Sequence, residues 1–182
     1  EADATLAAKG FRLTVLEGWR APVIQRRMFL AVERRFRTRY PDLDDDALRE
    51  VVERFSAPMD LEVPPPHTTG GAVDLTLATP DGERLDMTAP FDAYDDLCFP
   101  FDAPGLDAAT IDRRAVLAEA LLATGVTVYA SEYWHWSYGD QGWAYRGGHP
   151  EALYAAIEPT GWSPAPEDDH DAPLEFIEEP TV

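Results

Sequence analysis

The spacing of apolar residues along this chain switches between every fourth and every second residue, which restricts the fold to helices mixed with short strands. Four-residue spacing from Ile24 to Phe36 follows Pro22, a residue suited to the first turn of a helix, and predicts an amphipathic helix over residues 22–39. Two-residue spacing over residues 11–15 predicts a half-buried strand just before it.

Further helices are predicted from the residues at their ends. Aspartates at 44–46 favour a helix start because the helix dipole attracts negative charge there, and this helix should end before Pro58. Asp107 is the expected N-cap of another helix, which Gly125 ends. Residues 150–157 are predicted to form a short helix.

Strand patterns occupy the middle of the chain and the region after the third long helix. Alternation over residues 73–77, a Pro-Asp-Gly turn at 80–82 and a possible return strand at 84–87 predict a hairpin. Residues 126–130 predict another buried strand. Helices segregated from short antiparallel strands indicate an α+β fold with a central antiparallel sheet and flanking helices.

Composition excludes several classes of function. The 182 residues suffice for one domain, and a net charge of -19 repels nucleic acid. Cys98 is the single cysteine, so no intramolecular disulfide or cysteine-rich zinc knuckle is possible. No apolar stretch is long enough to span a membrane. We expect a domain over residues 1–158 and a loosely held, acidic, Pro-rich tail over residues 159–182.

His67 and Asp74 are the first candidate metal ligands. Three prolines precede His67, and Gly70-Gly71 separate it from Asp74, so a glycine turn could bring the two side chains together. Asp74 falls on the polar face of its strand, where aspartate is otherwise disfavoured. A loop histidine and a solvated aspartate would explain the same pattern equally well.

Glu132 and His135 are the second candidate pair, in an aromatic run that follows a strand. Their spacing of three would place them on opposite sides of a straight strand, so a shared site requires the strand to end or bulge. The alternative is an aromatic strand end with two polar residues at the surface.

These residues together suggest a hydrolytic metal site. Zinc in such sites takes three protein ligands and keeps a fourth position for water, and His67, Asp74 and His135 supply that set. The ion would lower the pKa of the water towards about 7, with Glu132 as general base. Arg20 could stabilise an oxyanion, although an arginine taken alone in so acidic a chain is more often a surface ion-pair partner.

Three blocks of the sequence resemble the zinc D-alanyl-D-alanine dipeptidases of the VanX type. The blocks are Gly18-Trp19-Arg20-Ala21-Pro22, His67 to Leu77, and Glu132 to His135 in its aromatic run, in the family's order. The resemblance extends roughly from Leu6 to Tyr154 and includes the segment from Asp86 to Asp92. It implies the zinc peptidase fold shared with D,D-carboxypeptidases and the Hedgehog signalling domain.

The resemblance also implies roles for individual residues. It implies one zinc ion on His67, Asp74 and His135, with Glu132 as base and Arg20 stabilising the transition state. Asp92 is a candidate for the substrate ammonium, although a solvated carboxylate is an equal alternative. Pro65 stands where the family often has a serine that contacts substrate.

We therefore expect a zinc dipeptidase that hydrolyses D-alanyl-D-alanine or a similar small dipeptide, and no nucleic-acid or membrane partner. The alternatives are a D,D-carboxypeptidase acting on longer cell-wall peptides, or a zinc-binding module without catalysis on the same fold. Localisation is expected to be cytoplasmic, or exported if a leader precedes Glu1. The oligomeric state does not follow from the sequence.

Overall fold

The computed structural model describes residues 1–89, 94–99, 103–166 and 172–174. Five α-helices and four strands form in these ranges, with short 3-10 helices at Pro66–Thr69 and Asp96–Cys98. In chain order the elements are α1 (Ala2–Ala8), β1 (Arg12–Glu17), α2 (Pro22–Arg39), α3 (Asp45–Glu53), β2 (Ala72–Ala78), α4 (Ala108–Leu122), β3 (Thr127–Tyr129), β4 (Glu132–Ser137) and α5 (Gln141–Gly147).

The four strands form one antiparallel sheet in the order β1-β2-β4-β3. Asp74 on β2 pairs with Glu17 on β1 and with His135 on β4, so these three residues form one row across the sheet. The α+β class with a central antiparallel sheet and flanking helices is confirmed.

Two apolar clusters hold the helices in place. Helices α1 and α4 pack on the sheet through a cluster that includes Leu6, Leu77, Leu117 and Trp134. Helices α2 and α3 pack together through a second cluster. Because neighbouring strand residues face opposite sides, Leu75 of the first cluster leaves Asp74 on the other face of β2.

The long helices lie where the sequence predicts them. Helix α2 has the predicted bounds, with Pro22 in its first turn. Asp44 caps α3 by accepting from the Ala47 amide, and Asp107 caps α4 by accepting from the Thr110 amide. In each case the N-cap residue and the apolar face indicate the same helix, so the prediction needs no tertiary information.

The predicted helix over residues 150–157 is wrong. The Leu153 and Tyr154 amides both donate to the Gly139 carbonyl, and the Ile157 amide donates to the Thr68 carbonyl. These bonds hold the segment extended across its neighbours. The helix of this region is α5, capped by the Asp140 side chain on the Trp143 amide.

The predicted hairpin is only partly formed. Its turn is present, since the Thr79 amide donates to the Glu83 carbonyl, but the return strand is reduced to one bridge between Ala78 and Arg84. Strand β1 pairs along one edge of β2, and β4 pairs with the start of the other edge. The long-range strand partners therefore replace the local one.

Parts of the acidic tail contact the domain. The Trp162 ring packs edge-on against Trp19 at 5.1 Å between ring centroids. Arg27 of α2 donates to the Ala172 carbonyl and accepts from the Leu174 amide through its own carbonyl. The boundary at residue 158 stays a prediction. Within the described ranges, no helix combines the length and apolar character that a bilayer crossing requires.

Candidate metal centre

The turn between His67 and Asp74 forms as the sequence predicts. His67 lies in a 3-10 helix that ends at Gly70, whose φ of 72° is in the left-handed region that favours glycine. At Gly71 a Cβ atom would lie 2.8 Å from the Tyr138 carbonyl oxygen, so a side chain is excluded there. The two glycines thus let β2 begin beside β4.

Strand β4 contains the irregularity that a shared site for Glu132 and His135 requires. Val128 on β3 pairs with Trp136, whereas the next residue, Tyr129, pairs with Glu132. Strand β4 therefore carries three extra residues at this point, and the bulge breaks its alternation. As a result the Glu132 carboxylate lies 3.8 Å from Nδ1 of His135.

His67, Asp74 and His135 come together as the sequence predicts, and all three are buried. Nε2 of His67 lies 3.1 Å from Nδ1 of His135, and Oδ1 of Asp74 lies 3.3 Å and 3.2 Å from these two nitrogens. A tetrahedron with its centre about 2.0 Å from each corner has edges of about 3.3 Å. The three atoms therefore match one face of a zinc coordination sphere.

The protonation of the cluster also suits a cation. Nδ1 of His67 lies 2.8 Å from the Gly18 carbonyl oxygen, which only accepts, so this nitrogen carries the proton and Nε2 keeps its lone pair. Burial raises the pKa of Asp74, but the His135 and His67 imidazoles outweigh this and lower it overall. Burial lowers the pKa of His135 although Asp74 opposes the shift.

Asp74 supplies the test of whether a metal fits. Its Oδ1 is buried and accepts no hydrogen bond from the described part of the chain. A buried carboxylate oxygen without a donor is strongly disfavoured unless something positive contacts it. A divalent cation meets that need, and two imidazoles with one carboxylate are ligands that zinc favours, so the residues fit the ion.

Arg20 is buried and paired, which differs from the surface ion pair considered as its alternative. Its Nε donates to Glu17 at 2.6 Å, its Nη2 also donates to the Glu17 carboxylate, and its Nη1 donates to Gln25 Oε1 at 2.8 Å. The Gln25 amide nitrogen donates in turn to the Ala57 carbonyl. These bonds fix the plane of the guanidinium.

The Arg20 and His67 segments are bonded to each other through their backbones. The Arg20 amide donates to the His67 carbonyl, and the His67 ring donates to the Gly18 carbonyl. These two bonds tie the segment that carries the guanidinium to the segment that carries a candidate metal ligand.

One pocket of about 220 Å³ collects these groups. It is smaller than the roughly 300–1,000 Å³ typical of drug-sized ligands, so it suits a small molecule. Its lining includes Arg20, Glu53, His67, Asp74, Tyr129, Glu132, His135, Gln141 and Arg146. Asp92, the candidate for the substrate ammonium, lies outside the described residues.

Several residues that line the pocket, or that support its Arg20, were not predicted from the sequence. Glu17 and Gln25 flank Arg20 closely in the chain, and an acid three residues before a candidate arginine is a signal that could have identified Glu17. Tyr129 and Arg146 belong to no sequence block, and only the packing of α5 beside β3 places them in the pocket.

Comparison with known proteins gives two matches. A family model described as "D-ala-D-ala dipeptidase" matches residues 1–153. The chain is also similar to the D-alanyl-D-alanine dipeptidase of Synechocystis sp., with 29% identity over 135 residues. The alignment covers 65% of this chain and 55% of the relative, so the chain spans about half the length of the curated relative it matches.

Proposed function

Since this chain belongs to the D-ala-D-ala dipeptidase family, as its three sequence blocks predicted, we propose that it is a zinc metallopeptidase that hydrolyses D-alanyl-D-alanine or a similar dipeptide. The observation that carries the proposal is the triangle of His67, Asp74 and His135, whose facing atoms are 3.1 to 3.3 Å apart beside Glu132.

Three side chains would hold the ion. Nε2 of His67, Oδ1 of Asp74 and Nδ1 of His135 are the facing ligand atoms. Zinc, when bound, supplies a Lewis acid for the carbonyl and lowers the pKa of water in its open position. The His67 ring is held in the required tautomer by the Gly18 carbonyl, and that bond supports the basicity of Nε2.

Glu132 is the proposed general base. Its carboxylate is buried next to His135, and a carboxylate in that position can take a proton from water as the scissile carbonyl is attacked. The same group then delivers the proton to the leaving amine, so each turnover returns Glu132 to its starting state.

Arg20 is the proposed stabiliser of the oxyanion. It lines the pocket with the metal ligands, and Glu17 and Gln25 hold its guanidinium before any substrate arrives. Pre-oriented donors stabilise the negative charge of the transition state without reorganising when it forms.

Metal analysis combined with peptide hydrolysis tests the proposal. We expect about one zinc per purified chain, hydrolysis of D-alanyl-D-alanine, loss of activity on chelation, and recovery on adding zinc. A pentapeptide ending in D-alanyl-D-alanine, assayed alongside, distinguishes a dipeptidase from a D,D-carboxypeptidase. Stoichiometric zinc with no hydrolysis of either peptide would refute the proposal and favour a non-catalytic zinc module.

A further inference from the structure

Arg146 also lines the pocket, and among the described residues its guanidinium has a single hydrogen-bond acceptor. It lies in the last turn of α5, and its Nε donates to the Thr127 hydroxyl at 3.2 Å. Its Nη2 is buried, and no residue that the structure describes accepts a hydrogen bond from it. An acidic partner within ion-pair distance is likewise absent from the described ranges.

Packing holds Arg146 close to the candidate metal centre. Its Cζ lies 5.7 Å from the centroid of the Tyr129 ring, and that ring lies 5.6 Å from the His135 ring. Gly142 leaves space for it, because a Cβ at that position would lie 2.8 Å from Nη2. The guanidinium is therefore positioned over Tyr129, at the edge of the same pocket.

A guanidinium with a buried nitrogen that lacks an acceptor is energetically unfavourable, and a bound anion would supply that acceptor. Arg20 is already paired with Glu17, whereas Arg146 has no acid within ion-pair distance among the described residues, and Asp140 acts on its charge only over a longer distance. The other charged groups on the described wall are acids, which repel an anion. An anionic ligand group should therefore bind at Arg146.

The substrate class supplies such a group close to the scissile bond. In a peptide cleaved before its last residue, three bonds separate the terminal carboxyl carbon from the scissile carbonyl carbon, a span below about 4.3 Å. We propose that Arg146 binds the C-terminal carboxylate of the substrate, so that the site selects peptides with an unblocked C-terminus. This inference rests on the proposed function, and it assigns the carboxylate subsite.

The competing interpretation is that Arg146 only ties α5 to β3 through Thr127 and Tyr129. A comparison of two substrates by two proteins separates these interpretations, because D-alanyl-D-alaninamide replaces the carboxylate with a neutral carboxamide. We expect Arg146→Met to lower kcat/KM for D-alanyl-D-alanine about 10- to 100-fold, mainly through KM, and to change the amide by less than about threefold. An equal loss on both substrates would overturn the proposal.

Two further variants guard against a folding defect. Arg146→Lys keeps the charge but loses the paired donors, so we expect an intermediate loss on the acid and none on the amide. Arg113→Met removes a half-buried arginine of α4 that lies outside the pocket lining and donates to the Asp86 carbonyl, and it should leave both substrates unchanged. If Arg146→Met is unfolded by its melting temperature, an unchanged acid-to-amide ratio in Arg146→Lys contradicts the proposal.

A binding measurement separates failure of this inference from failure of the proposed function. Calorimetry on zinc-loaded Glu132→Gln protein measures affinity for D-alanyl-D-alanine and its amide without turnover. The Glu132→Gln protein should bind the acid more tightly than the amide, and adding Arg146→Met should abolish this difference in affinity. That result supports the carboxylate subsite even if the wild-type protein hydrolyses neither compound. If Arg146→Met still hydrolyses the acid in preference to the amide, the proposed function stands and the carboxylate subsite at Arg146 is refuted.

Discussion

The pocket has an arginine on each of two walls, and the two are supported differently. Arg20 donates twice to the Glu17 carboxylate and once to Gln25, so its charge is compensated and its orientation is fixed. Arg146 makes one bond to the neutral Thr127 hydroxyl, and its buried Nη2 has no partner among the described residues.

This difference indicates which kind of charge each arginine serves. A compensated, pre-oriented guanidinium attracts a ground-state anion weakly but meets an oxyanion that appears during reaction without reorganising. A guanidinium without an ion-pair partner attracts more strongly a charge that the substrate carries permanently. Arg20 should therefore determine kcat, and Arg146 should determine KM.

The largest predicted effect follows from removing the proposed general base or a metal ligand, without which neither arginine can contribute to turnover. Glu132→Gln should lower kcat by about 10³- to 10⁴-fold, because the proton transfers lose their base, while the protein keeps its zinc. His135→Ala should instead lose the metal, because one of three ligands is removed. Steady-state kinetics with metal analysis measures both effects, with the exposed Glu50→Gln as control. Near-normal turnover by Glu132→Gln would contradict the assigned base.

The next largest effect tests the Arg20 wall. Arg20→Met should lower kcat by about 10²- to 10³-fold with little change in KM, the size expected for loss of a transition-state donor. The amide and the acid should be affected equally, in contrast to Arg146→Met. A loss that falls mainly on KM, or mainly on the acid, would show that Arg20 binds the carboxylate and would reverse the two assignments.

The sequence could predict the parts of the molecule that local patterns determine. Asp44 and Asp107 each precede an apolar helical face, so cap and periodicity agree, and α3 and α4 lie where expected. Asp140 is a cap of the same kind, but α5 has only seven residues and gives little periodic signal. The return strand of the predicted hairpin is reduced to one bridge because β2 pairs with β1 and β4, which are distant in the chain.

The candidate site likewise contains residues that local sequence patterns predict and residues that only the tertiary packing brings in. His67, Asp74, Glu132 and His135 were predictable because turn residues and a family-like order accompany them, and the required bulge in β4 is present. Arg146 has no such motif around it. Its position in the pocket depends on how α5 packs beside β3, which no local pattern of the chain contains.

A smaller effect is predicted for the carboxylate behind Arg20. Glu17→Gln should lower kcat about 10-fold, because the guanidinium keeps its charge but loses a charge-assisted pair that orients it. Kinetics of the single variants and of the double variant with Arg20→Met measure the coupling. Glu17 acts through Arg20 in this interpretation, so a further 10-fold loss in the double variant would contradict it.

The smallest effect is predicted for the corresponding support of Arg146. Thr127→Val removes the hydroxyl that accepts from Nε, and a neutral hydrogen bond accounts for about a two- to fivefold change. The change should fall on KM for D-alanyl-D-alanine and be absent with its amide, because the carboxylate is the part of the substrate that the Arg146 guanidinium is proposed to contact. Thr38→Val, at an exposed position of α2 where the hydroxyl donates to the Arg34 carbonyl, is the control for loss of a hydroxyl. The contrary result is that Thr127→Val lowers kcat for both substrates, as is expected of Glu17→Gln. Arg146 would then act on the oxyanion as Arg20 does, and the proposed difference between the two arginines would be wrong.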